Sequence, residues 1–168
     1  MYYQVVSQCV RTLKTVETWL DKAEAHAIAK RFDISVLLTS RLAPDMQGFI
    51  YQVQSACDYV KGAAASLSGQ TPPAHDDTEE TVGEVRMRIR KTVAFAESVT
   101  AAQYDGASDR TIKINWANGK SVRGDDYLLQ ITIPNVFFHI TTAYAILRHN
   151  GVDIGKGDLL GTINWIDQ

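Results

Sequence analysis

Met46, Phe49, Val53, Cys57, Val60, Ala64 and Leu67 follow one another at steps of three or four residues. A seam of that spacing keeps one stripe of a helix facing a neighbour in a left-handed bundle, and no strand can present it, because strand side chains alternate every two residues. The seam predicts a long helix entered at Pro44, which suits a first turn, with Asp45 at the positive end of the helix dipole. Ser68-Gly69 ends it, and 69–76, which contains Pro72-Pro73, is a loop.

Three further helices follow from the same reasoning. Val5, Cys9, Leu13, Val16 and Leu20 form a stripe from Tyr3 to about Leu20. The alanine-rich stretch from Asp21 to Lys30 either extends that helix or forms a short one of its own, with Asp21 as its cap. Phe32 to Leu38 reads as a connector with apolar anchors. The third helix is expected to open with Asp77 and Glu80 in capping-box spacing and to turn Val82, Val85, Ile89, Val93 and Ala96 inward. The last is Pro134 to His149, almost wholly apolar, with Arg148 and His149 complementing the dipole and Gly151 suited to a left-handed cap.

Between the third and last helices the period changes. Ile112, Ile114 and Trp116 alternate with Lys113 and Asn115, and Asn118-Gly119 is a tight-turn dipeptide before Ser121-Val122-Arg123. A short hairpin inserted at about 111–123 is expected. Asp125 or Asp126 would cap a following helical run, which Pro134 must kink or restart. The tail from Val152 to Gln168 is expected to pack across the bundle through Ile154, Leu159, Leu160 and Trp165. The expected fold is all-α, one domain spanning 1–168.

Composition narrows the functional classes. The 168 residues are 45% hydrophobic and 21% charged, enough apolar side chain for a core, and the formal charge of -2 gives no field favouring nucleic acid. Neither a signal peptide nor a membrane-spanning run is visible, so a cytoplasmic protein without a membrane partner is expected. Cys9 and Cys57 lie on apolar helix faces and read as small buried hydrophobes. Arg86, Arg88, Arg90 and Lys91 read as a solvated face, with Glu84 reaching Arg88 along the helix. His26 and His75 read as solvated. The glycine-containing stretch 155–161 lacks the strand and helix of a nucleotide loop.

His139 is the exception to this plain pattern. It sits in an apolar helix where an unpartnered polar ring is costly, and Asn135 lies one turn earlier on the same face. With no nucleophile elbow and no partner serine or cysteine evident from spacing, classical hydrolase chemistry has no support.

Arg41-Leu42-Ala43-Pro44-Asp45-Met46, the run from Gln52 to Asp58 and the run from Phe138 to Tyr144 together resemble an uncharacterised bacterial branch of the DinB-like superfamily, over nearly the whole chain. The resemblance implies an up-and-down four-helix bundle with a crossover, a cleft between the second and fourth helices, and a homodimer. It also implies a metal site. The superfamily's two histidines four residues apart fall on Asn135 and His139, and the helix-two ligand position offers only Asp45 and Gln52. A polar pocket of Asp45, Gln52, Asn135 and His139 is therefore expected, serving a small-molecule-binding or stress-related accessory protein. The alternative is a divalent-metal hydrolase or thiol transferase with a reduced site, Zn or Ni held by His139 and Asp45. His139 itself is either a core histidine satisfied by Asp45, Gln52, Asn135 or a backbone carbonyl, or a ligand-binding group, or a metal ligand.

Overall fold

The computed structural model describes residues 1–166. Its first helix, α1 (Tyr2–Lys30), settles the question left open at Asp21: the alanine-rich stretch continues the helix without a break. Ala23 and Ala27 extend the buried stripe of Val6, Cys9, Val10, Leu13, Val16, Trp19 and Leu20, so the core face runs through the expected boundary. Arg31 ends the helix in the left-handed conformation, φ 60°, and Phe32 N–H closes back on Ala27 O at 3.1 Å. The connector contains one short helix, α2 (Ser35–Thr39), which buries Leu37 and Leu38.

The second long helix, α3 (Phe49–Ser68), starts five residues later than Pro44. The reason is Gly48. A Cβ there would lie 2.9 Å from Thr39 O, and Phe49 N–H donates to Ser40 O at 3.0 Å, so the chain is pinned against the end of α2 just before the helix begins. Pro44, Asp45 and Met46 form a turn ahead of it. From Phe49 to Leu67 the seam is buried as expected, and Gly69, φ 76°, caps the helix.

Helix α4 (Val82–Ser98) is capped by Thr81 and Glu84, not by Asp77 and Glu80. Glu84 N–H donates to Thr81 Oγ1 at 3.3 Å while Glu84 Oε2 accepts from Thr81 N–H at 2.9 Å. Two 3-10 turns, Ala101–Tyr104 and Ala107–Asp109, lead to a hairpin of β1 (Thr111–Lys113) and β2 (Ser121–Arg123), antiparallel with Ile112 opposite Val122. The hairpin is thus where the two-residue period placed it. A short α5 (Gly124–Asp126) follows directly, with Asp125 and Asp126 inside its first turn rather than capping it. Gly124 is obligatory here, since a Cβ would stand 1.8 Å from Ala107 O.

The run then widens into a π-helical turn, Tyr127–Thr132, before α6 (Ile133–His149). Pro134 accounts for the widening. It has no N–H to offer the carbonyl of Gln130 four residues back, and its ring would press on that carbonyl; a wider turn relieves both. Gly151, φ 88°, ends the helix, and α7 (Lys156–Leu160) lies on α1. Trp19 Nε1–H donates to Asp158 O at 3.1 Å, and Lys22 pairs with Asp158 at 2.6 Å.

Helix α3 packs on both α4 and α6, and α1 also touches both, which places α4 and α6 at opposite corners of a four-helix bundle. The segment from 99 to 123, hairpin included, is the crossover between those corners. Of the tail residues expected to pack, Ile154 is buried and Leu159 partly so, but Leu160, on the solvent side of α7, and Trp165, in the irregular chain after it, are exposed. Residues 167–168 of the expected tail lie outside the described residues. No helix among the described residues is long and apolar enough to cross a membrane.

Candidate functional site

His139 lies on α6 and points at α3, where Gln52 is buried one turn into the helix. His139 Nδ1 and Gln52 Oε1 are 2.8 Å apart. The amide is oriented by its other end, since Gln52 Nε2–H donates to Gln47 O at 3.0 Å. An amide oxygen only accepts, so Nδ1 must carry the hydrogen. Burial holds the imidazole below its ordinary pKa, so at neutral pH the ring is uncharged and Nε2 presents a lone pair. Among the described residues Nε2 has no hydrogen-bond partner.

Aromatic rings frame this imidazole. Tyr59 stacks on it, with centroids 5.8 Å apart and planes 18° from parallel, and Tyr51 and Phe138 meet it edge-on at 6.2 and 5.2 Å. Tyr51 and Phe138 are largely exposed, which leaves the histidine at the foot of an aromatic rim.

The structure joins two of the four expected site residues and separates the others. Asn135 turns back along its own helix and donates to Ile131 O at 2.7 Å, where it serves a carbonyl of the π-helical turn. Asp45 is exposed in the turn before α3 and has no ion pair among the described residues. It is displaced from the expected position because the helix begins at Phe49 rather than Pro44. The donor set does not fit a Zn or Ni site. His139 Nδ1 is committed to Gln52, Asn135 to a backbone carbonyl, and among the described residues no group of three or more His, Cys, Asp and Glu side chains could hold an ion.

A second polar cluster escaped the sequence reading. Arg88, expected on a solvated face, is 2% exposed. Its guanidinium donates to Asp58 at 2.8 Å, Asp77 at 2.9 Å, Glu79 at 3.2 Å and Asp76 O at 3.0 Å. Lys61 adds a contact to Asp58 at 2.8 Å, and Gln54 Nε2–H donates to Glu79 at 2.8 Å. Glu84, the partner expected from spacing, is used in the helix cap instead. His75 is half-buried beside this cluster, and burial, with Lys61 and Arg88 nearby, lowers its pKa. The signal was present in the sequence: position 88 falls three residues after Val85 and four before Thr92, on the inward stripe of α4. Cys9 and Cys57 are buried as expected, and burial raises their thiols to about 11 and about 12.

Residues 1–160 match the family model described as a domain of unknown function, DUF1993. The chain belongs to the DUF1993 family. A crystal structure of a DinB family member from Shewanella denitrificans is similar to this DUF1993 chain, at 43% identity and a TM-score of 0.94 over 99% of this chain and 95% of that one. The DUF1993 chain therefore has the DinB-like all-α fold that the sequence resemblance implied, with the short hairpin that the two-residue period predicted. No curated protein matches it.

Proposed function

We propose that this DUF1993 chain is a small-molecule-binding accessory protein whose recognition group is His139. The observation that carries the reading is a buried neutral imidazole, fixed by Gln52 in the tautomer that leaves Nε2 as an acceptor and opening between exposed Tyr51 and Phe138. An acceptor without a protein partner, on a ring that is otherwise buried, suits a ligand that brings a hydroxyl or amide N–H, with the aromatic rim covering its apolar part.

The test is a fragment screen followed by the imidazole nitrogens in NMR. Donor-bearing fragments are expected to shift His139 Nε2, and Gln52→Leu is expected to lose those shifts by releasing the tautomer. A library that leaves His139 Nε2 unmoved would overturn the reading. A homodimer belongs to the same proposal, supported by the exposed Leu129, Phe137 and Phe138 along the last long helical run. A monomeric mass by light scattering at micromolar concentration counts against it.

A further inference from the structure

The hairpin leans over a cavity of about 390 Å³ bounded by α3 on one side and the π-helical turn on the other. Tyr59 and Gly62 come from α3, Tyr127 from the π-helical turn, and Lys113, Asn115 and Trp116 from the hairpin. His139 does not line this cavity, though Tyr59, which does, stacks on the imidazole.

Three features decide what would occupy it. Trp116 lines the cavity while remaining 70% exposed, so the largest apolar surface of the hairpin is uncovered. Gly62 lets the Tyr127 phenol sit close against α3: a Cβ there would come within 3.1 Å of Tyr127 Oη, and the ring would have to draw back by a few tenths of an ångström. Charge gives the third feature. Asp58 is the one carboxylate in the lining, and it is held at 2.8 Å by both Arg88 and Lys61. Lys113 has no ion pair among the described residues. The cavity thus combines aromatic walls with one uncompensated ammonium and the amide donors of Asn115.

We propose that this cavity binds a planar aromatic carboxylate, its ring against Trp116 and Tyr59 and its anionic group toward Lys113. Aromatic faces contribute dispersion and offset stacking to a flat ring, and a cavity of this size takes a ligand of one or two rings. A cationic aromatic would face Lys113 as a like charge. The proposal does not depend on the role of His139.

Three probes with the same ring and different charge test it: 2-naphthoate, neutral 2-naphthalenemethanol and 2-naphthylmethylammonium, each titrated into the full chain and followed by the Trp116 indole N–H and the Gly62 and Tyr127 amides in NMR. Naphthoate is expected to give saturable shifts at all three positions and to bind more tightly than the alcohol. Trp116→Ala, an exposed position whose loss leaves the core intact, is expected to weaken naphthoate by about tenfold. Lys113→Gln is expected to bring naphthoate down to the affinity of the alcohol. The proposal is overturned if naphthoate produces no saturable shift at these positions, or if Trp116→Ala, followed at the Gly62 and Tyr127 amides, binds naphthoate as tightly as the parent chain. An ammonium probe that binds as tightly as naphthoate overturns it too. So does a Trp116 signal that moves with protein concentration alone, which would show a second copy covering the hairpin.

Discussion

Protonating His139 requires placing a charge among Tyr51, Tyr59 and Phe138 with an amide oxygen as its one hydrogen-bonding partner. Burial opposes that, and it also holds His75 below the ordinary imidazole range. In the unfolded chain both rings take up a proton near pH ~6.5, and in the folded chain only at lower pH. Between those values the unfolded state binds more protons, so their contribution to stability is complete above about pH 6.5 and is lost as pH falls through the folded values. Urea midpoints are expected to fall between about pH 7 and pH 5, and to fall less in His139→Gln. Arg88 is the other residue that governs stability. Replacing it with methionine leaves the buried Glu79 carboxylate without its cation, and a loss of about 3 kcal/mol by urea unfolding is expected, as for breaking a buried ion pair from one side. An unchanged midpoint in Arg88→Met would show that the four contacts contribute nothing net.

Helix identities were legible in the residues because buried stripes repeat at three and four; helix ends were legible only where local chemistry was unambiguous. Gly69 and Gly151 mark C-termini that the structure confirms, since left-handed caps favour glycine. Pro44 and Asp45 resemble a helix start but form a turn, because Gly48 must pass close to Thr39 O, a contact that no local pattern encodes. At α4, both Asp77/Glu80 and Thr81/Glu84 have capping-box spacing. The first pair is unavailable because Asp77 is drawn to Arg88. Thr81→Ala is therefore expected to cost about 1 kcal/mol in thermal or urea unfolding through loss of the cap. In Asp77→Asn the cap should stay intact and only the contact to Arg88 weaken.

At the scale of the whole molecule, the DinB-like bundle was readable from the resemblance, and its centre was not. Gln52 and His139 were both named, yet their direct pairing depends on the relative rotation of α3 and α6, which helical spacing alone does not fix. The buried Arg88 cluster was hidden for a similar reason: its three carboxylates come from α3 and from the loop before α4, so only the folded bundle assembles them. The donor set around His139 leads to a bulk prediction. Protein purified without a histidine tag is expected to carry less than about a tenth of an equivalent of Zn or Ni by elemental analysis, unchanged in His139→Ala, because one imidazole without two further strong ligands does not retain such an ion.

The π-helical turn at Tyr127–Thr132 gives the chain a fixed length at one point. A wide turn holds one residue more than the α-helix it interrupts. Pro134 keeps the turn wide whichever residue is lost, so a single deletion cannot be absorbed by closing it into regular α-helix, and everything on its N-terminal side would swing by about 100° about the axis of α6. Tyr127 would leave the wall beneath Trp116, and Gly124 would lose its seat against Ala107 O. Insertions and deletions that the exposed 69–76 loop could absorb would, at this turn, disengage the crossover from the bundle.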